Sequence, residues 1–320
     1  MPRRLLVPLA AVAVLAAFPF VVNDYFVNVG FFFGLYALLG LSLNVVLGEV
    51  GLYDLGHAGF YAIGAYVTGI LSTRFSIPVL VLLPVSAVAA AVFAYAVTSP
   101  IIHLRGDYLC IVTIGIGEIV RLALINNPFG LTGGPNGVYG ISTPTLGFLA
   151  IDSSVAYYFL IWVIVGLAAV GMGRLQRSRI GRAWNCIRED EIAAQATGID
   201  VRGHKLLAFV IGAALAGAAG NLYAGKLMVV SPESFTFWES CLMFVIVLMG
   251  GMGSVPGVLV AAAVVTFVPE VVRSLALYRM VVFGLAMILM MMFRPGGIWP
   301  RRRGGTEAQD LLSRLGRRDG

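Results

Sequence analysis

Long apolar runs alternate with short polar breaks along most of the chain. Runs at 5–22, 28–48, 56–73, 77–99, 108–126 and 154–173 are followed by a polar, arginine-rich stretch at 174–205. Four more runs come after it, at 206–228, 239–250, 254–273 and 278–293. A helix needs about 20 mainly apolar residues to cross the hydrocarbon of a bilayer. Most of the runs meet that length, and 239–250 does not. The pattern predicts an all-α integral membrane fold: a polytopic bundle of about 8–10 transmembrane helices with broken or re-entrant segments. The first run, "MPRRLLVPLAAVAVLAAF", leads into "PFVVNDY" without a small-residue cleavage site, so it is read as a retained helix and not as a signal peptide.

Composition removes the soluble alternatives. The chain has 320 residues, 59% hydrophobic and 12% charged, with a mean hydropathy of +0.91. Soluble proteins carry about 25% charged residues. One membrane domain is expected over 1–299, containing the polar loop 174–205, with a charged, partly disordered tail at 300–320. The formal charge is +6. Its aromatics sit in apolar runs and not among basic clusters, which argues for a lipid surface and against nucleic acid. With the N-terminus in the cytoplasm, 17 of the 22 Lys and Arg fall on the cytoplasmic side, among them Arg3, Arg4, Arg105 and seven in 174–205. The outer side receives Arg74, Arg121, Lys226, Arg273 and Arg279. This asymmetry predicts an even number of crossings with both termini in the cytoplasm. Ten full spans and eight spans plus re-entrant segments both satisfy it.

Several polar positions interrupt the apolar pattern. "GEVGLYDLGHAGFYAIGAY" (48–66) gathers Gly48, Gly51, Gly56, Gly59 and Gly64 with Glu49, Asp54, His57 and Tyr61. Glycines permit helix breaks and close backbone approach. Two readings stay open: a broken helix lining a pathway, or a cytoplasmic turn followed by a packing face. "LMGGMGSVPGVLVAAAVV" (248–265) repeats the theme with Gly250, Gly251, Gly253, Ser254 and Gly257. Gly-interrupted apolar segments in two halves of a chain point to a transporter site. Glu118 and Arg121 share one helix face at i, i+3. Charges are expensive at membrane depth, so they are expected to pair, either in a pathway or as a structural ion pair near the outer interface. The loop "NNPFGLTGGPNGVYGIS" (126–142), with Thr132, Gly133, Gly134 and Asn136, reads as turns.

The stretch "RSRIGRAWNCIREDEIAAQATGIDVRGHK" (177–205) predicts a helix over 179–197, with Ser178 as N-cap and Gly198 as stop. Ile180, Trp184 and Ile187 share one face, and Arg188, Glu189, Asp190 and Glu191 then surround the helix with charge. Such a segment lies outside lipid. It suits docking on a soluble partner or a solvated interfacial position.

No catalytic chemistry emerges. Cys110, Cys186 and Cys241 are far apart, and no metal-ligand spacing or disulfide framework occurs. "GNLYAGK" (220–226) has the spacing of a phosphate-binding loop, but Leu227 stands where Ser or Thr would hold magnesium and no strand precedes it. HExxH and nucleophile-elbow motifs are absent. No metal or cofactor is expected on this chain. An ion-coupled carrier would need intramembrane acids, for which Glu118 and Asp54 are the candidates. A membrane-embedded enzyme would need a catalytic cluster.

"LRGDYLCIVTIGIGEIVR", "LTGGPNG", "GRAWNCIREDEIAAQATGID", "KLLAFVIGAALAGAAGNLYA", "SPESFTF", "GGMGSVPG" and "FRPGGIW" follow one another in order. Together they resemble the branched-chain amino acid ABC transporter permeases of the LivM type, over about 30–299. The resemblance implies an importer of leucine, isoleucine and valine in a bacterial cytoplasmic (inner) membrane. It implies a second related permease in a heterodimer, two cytoplasmic ATPases that use ATP and magnesium, and an extracytoplasmic amino-acid-binding protein. It makes 179–198 the cytoplasmic coupling helix that docks on an ATPase, with Gly181, Arg182, Arg188, Glu189, Asp190, Glu191, Ala194 and Gly198 as its candidate residues. "EIAA" at 191–194 only approximates the usual loop pattern, because Ile192 interrupts it. The substrate pathway is then expected at Gly48, Gly51, Asp54, Gly56, His57, Tyr61, Glu118, Arg121, Gly250, Gly251 and Ser254. Binding-protein docking is expected at Thr132, Gly133, Gly134 and Asn136. Permeases for urea or short amides look similar and are the alternative cargo class.

Overall fold

A computed structural model describes residues 22–300 except 105, 142–144, 147–148, 151–152, 272–278 and 295, together with 15 and 17–20. Most of the expected first span 5–22, the tail from 301 onward, and Arg3, Arg4, Arg105 and Arg273 lie outside the described residues. The architecture is an all-α polytopic bundle. Its helices are α1 (Asp24–Leu43), α2 (His57–Phe75), α3 (Val79–Ile101), α4 (Asp107–Ile125) and α5 (Ser154–Arg177). A polar pair follows, α6 (Arg179–Glu189) and α7 (Glu191–Ala196), then α8 (Val201–Leu227), α9 (Phe237–Gly250), α10 (Val255–Val271) and α11 (Arg279–Phe293).

Among the described residues, five helices are long and apolar enough to cross a membrane: α1 with its continuation to Val50, α3, α4, α5 and α8. α9 and most of α10 form shorter apolar helices. α1 is apolar on every side and sits in the middle, packed by α5, α8, α9 and α10. α3 shows the opposite arrangement. Val81, Val85, Val88, Val92 and Tyr95 make an exposed stripe, each 43–62% accessible, at the spacing of one helix face. Exposed apolar area of this kind needs lipid or another subunit.

α2, α3 and α8 form the tightest group. A Cβ on Gly64 of α2 would collide with the carbonyl of Gly217 on α8, and one on Gly220 would strike the Tyr61 carbonyl. Small residues let these backbones touch, which replaces the hydrophobic drive that lipid does not supply. Asn221 fixes the register by donating from Nδ2 to Thr68 Oγ1 and to the Val79 carbonyl, both at 2.9 Å.

The two ends of the bundle differ. α6 and α7 lie at one end. α8 starts beside them and runs its 27 residues to the other, about 40 Å at 1.5 Å per residue. There Val138–Tyr139 (β1) pairs antiparallel with Val229–Val230, which closes the 126–141 loop onto the far end of α8. Two further short strands, Thr145–Leu146 and Leu149–Ala150, pair with each other.

Candidate functional site

The central helix does not stay α-helical. Beyond Leu43 it widens into π-helical turns over Asn44–Val50, and Gly51 ends it in the left-handed region at φ +81°. Six non-helical residues then lead to α2. π-turns inside helices commonly mark functional positions. Protein encloses most of this break: Gly48, Glu49, Asp54, Gly56 and His57 are all buried, while Tyr53 is exposed. The second glycine cluster makes a matching break. α9 stops at Gly250, Gly251 adopts φ +108°, and Ser254 starts α10 by accepting from the Gly257 amide at 3.3 Å. The C-terminal "GGIW" segment completes this end. Ile298 and Trp299 donate their amides to the orphan carbonyls of Met249 and Gly250, at 2.8 and 3.1 Å.

The two breaks touch each other. The Gly253 amide donates to Asn44 Oδ1 at 2.9 Å, and a Cβ on Gly48 would strike both Asn44 and the Gly253 amide. Gln176, at the end of α5, spans them, donating to Glu49 Oε1 at 2.7 Å and to the Gly253 carbonyl at 3.1 Å. Arg188 of α6 joins from the polar end. Its guanidinium donates to the Gly48 carbonyl and reaches Met252 Sδ at 3.7 Å, and its stem packs on Gly51. A side chain on Gly51 would occupy the place of the Arg188 stem.

The polar segment departs from the expected single helix over 179–197. It is two helices with a bend at Asp190, whose backbone is extended (φ −154°). Asp190 caps α7 by accepting from the Ile192 and Ala193 amides at 2.8 and 3.0 Å. A side chain that satisfies orphan helix donors favours this break. α8 also starts earlier than the apolar run at 206. Its polar first turns face the segment: Lys205 pairs with Glu191 at 2.8 Å, and the His204 carbonyl accepts from the buried Trp184 indole at 2.8 Å. The residues proposed for partner coupling therefore divide. Gly181 and Ala194 are buried, Arg188 turns inward and Glu191 is tied to Lys205, while Arg182, Glu189, Asp190 and Gly198 are exposed. Gly198 ends α7 at φ +84°.

His57 stands in a buried chain. Its Nδ1 meets Asp54 Oδ2 at 2.8 Å, and its Nε2 meets Ser42 Oγ at 2.8 Å. The order is that of a hydrolytic triad, but all three side chains are fully buried. Ser42 also lies 2.7 Å from the Leu39 carbonyl, to which it donates. The chain holds the break in place, because Asp54 also accepts from the Gly56 amide at 3.0 Å. Glu118 and Arg121 form a bidentate pair, with Arg121 Nε at 3.0 and 3.1 Å from the two carboxylate oxygens. Glu118 is 40% and Arg121 21% exposed, and Glu118 lines a small cavity beside the break with Leu55 and Ala58. Tyr61 lies one turn into α2 and lines a separate cavity with Tyr36, Tyr223 and Glu239. In the 126–141 loop, buried Thr132 is structural, donating to the Leu124 carbonyl at 2.7 Å, while Gly133 and Asn136 are exposed and Gly134 is buried. Among the described residues no group of His, Cys, Asp and Glu is placed to hold a metal ion.

The family model for the permease component of branched-chain amino acid transport systems matches residues 25–291. This chain belongs to that family. The permease is 41% identical to the high-affinity branched-chain amino acid transport system permease protein LivM of Escherichia coli, over 92% of this chain and 75% of that protein. It is 30% identical to the permease protein BraD of Pseudomonas aeruginosa, over 83% of this chain and 92% of BraD. It is also 27% identical to LivH of Escherichia coli, over 83% and 91%. No solved structure matches it.

Sequence reasoning missed several residues of the permease. Asn44 and Gln176 read as ordinary polar residues at helix ends, since only the fold brings them to Gly253. Glu239 and Glu270 were not counted among the intramembrane acids, although each lines a cavity. Ile192, at 67% exposure on the polar segment, registered only as a departure from a pattern.

Proposed function

We propose that this chain forms half of the translocation path of an ATP-driven importer for branched-chain amino acids. A second, related permease supplies the other half. Two cytoplasmic ATPases consume ATP and magnesium, and an extracytoplasmic binding protein delivers the amino acid. In this reading the polar end of the bundle faces the bacterial cytoplasm, both termini lie on that side, and the exposed loop around Gly133 and Asn136 faces the binding protein. The relatives' names supply the cargo class.

The observation that carries the reading is the hydrogen bond from Arg188 to the Gly48 carbonyl. It ties the polar segment to the junction of the two helix breaks, so displacement of α6 is transmitted to both breaks at once. A partner that binds one position of α6 more tightly thereby shifts the permease between two arrangements. Ile192, exposed between Asp190 and Gln195, offers such a partner an apolar anchor within a polar rim. The permease itself then needs no nucleotide site. The test is co-purification of the chain with its ATPases, followed by measurement of ATP hydrolysis as binding protein loaded with leucine is added. Stimulation by leucine-loaded protein is expected. Stimulation by a urea- or amide-loaded protein alone would overturn the cargo, and failure to associate with any ATPase would overturn the class.

A further inference from the structure

A cavity of about 240 Å³ lies toward the end of the bundle opposite the polar segment. This is a little below the range of about 300–1,000 Å³ typical of small-molecule sites. Its polar wall combines the Glu239 carboxylate with the side chains of Tyr36, Tyr61, Tyr223 and Ser234. Tyr36 Oη donates to Glu239 Oε2 at 3.4 Å, and Tyr223 Oη to Ser234 Oγ at 2.8 Å. Phe32, Leu35 and Leu39 of α1, which also carries Tyr36, add apolar lining. Tyr61 and Tyr223 belong to one aromatic cluster. Tyr61 packs against Phe235 and Tyr223 with ring centroids 4.9 and 5.5 Å apart. Among the described residues no lysine or arginine lines the cavity. Lys226, the residue before Leu227 of the wall, turns away to Ser154 Oγ at 3.1 Å. A second cavity of about 280 Å³ shares the Phe32 and Tyr36 walls and contains its own carboxylate, Glu270.

We infer that the first cavity is a transit site for an α-amino acid, in which Glu239 receives the ammonium group and the α1 wall receives an aliphatic side chain. The lining supplies a carboxylate and several hydroxyls next to aliphatic side chains, a donor set that suits a cationic group joined to an apolar arm. The size and the paired hydroxyls suit a small zwitterion, whose carboxylate is solvated by Tyr223 and Ser234. The apolar lining then favours branched aliphatic side chains over urea, which has neither a cation nor an apolar arm. This inference rests on the transport reading above and assigns a residue to it.

The test uses the complete transporter in proteoliposomes with its binding protein, measuring labelled leucine uptake and ATP hydrolysis together. Glu239→Gln keeps the shape and removes the charge. It is expected to lower uptake at subsaturating leucine about tenfold or more, the scale of one lost hydrogen bond to a charged group. Hydrolysis is expected to continue, and Glu239→Asp to restore part of the uptake. Tyr36→Phe, which removes one hydroxyl, gives a smaller loss and serves if the glutamine variant does not assemble. Unchanged rate and half-saturation in both variants would overturn the site. A wild-type transporter that moves no aliphatic amino acid would overturn the transport reading and the site with it.

Discussion

Replacing Arg188 with alanine cuts the tie between the polar segment and the helix breaks. Arg188 donates to the Gly48 carbonyl, and its stem fills the space over Gly51. A hydrogen bond from a charged donor contributes about 1.5–3 kcal/mol net. If that energy is present in one arrangement of the permease and absent in the other, its loss lowers the coupling between the two sites about 10- to 150-fold. The remaining contacts of α6, the buried Trp184 and Ile187, keep the segment folded. Arg188→Ala is therefore expected to assemble and to hydrolyse ATP, while leucine moved per ATP falls about tenfold or more. Arg188→Lys keeps the charge but loses the planar fork, so it recovers only part of the ratio. The assay measures uptake and phosphate release in the same vesicles. A wild-type ratio in Arg188→Ala would refute the reasoning, because the inward hydrogen bond would then carry no coupling.

Other perturbations test separate parts of the account. Asp54→Asn weakens the buried hydrogen bonds to His57 and to the Gly56 amide, and a buried group left poorly satisfied costs about 1–3 kcal/mol, so a clear fall in the melting temperature of the detergent-purified protein is expected. Gly217→Val places branched carbons against Ala90 and the Ser86 carbonyl, where even a Cβ would approach to 2.6 Å. Size-exclusion chromatography should show loss of the monodisperse species. Ile192→Asp removes an exposed side chain and should leave the fold intact. In the docking reading it loses about 1.5–3 kcal/mol of apolar burial, so pull-downs should recover much less ATPase.

Much of the bundle was legible because lipid imposes a single rule, a long apolar helix, and the runs at 28–48, 77–99, 108–126, 154–173 and 206–228 obey it. The 179–197 helix was misread at one point. Asp190 looked like part of a charged face, and only the backbone reveals it as a cap. Contacts across long separations were hidden for a different reason. Gln176 reaches Glu49 and Gly253 across 127 and 77 residues, and no local pattern encodes such a meeting. The glycines at 48–51 and 250–253 did signal helix breaks. That the breaks meet each other, and that Arg188 points at them and not outward, follows from packing. Glu239 escaped notice because it sits at the start of a short apolar run, where an acid reads as an ordinary helix-start residue.

The central claim is that this permease, with its partners, carries branched-chain amino acids at the expense of ATP. The most direct test is accumulation of labelled leucine in proteoliposomes that contain the assembled transporter, ATP and loaded binding protein. The account predicts uptake against a gradient that stops when ATP is withheld or when this chain is left out. Uptake that persists without ATP, or an assembly that accumulates urea but not leucine, would contradict it.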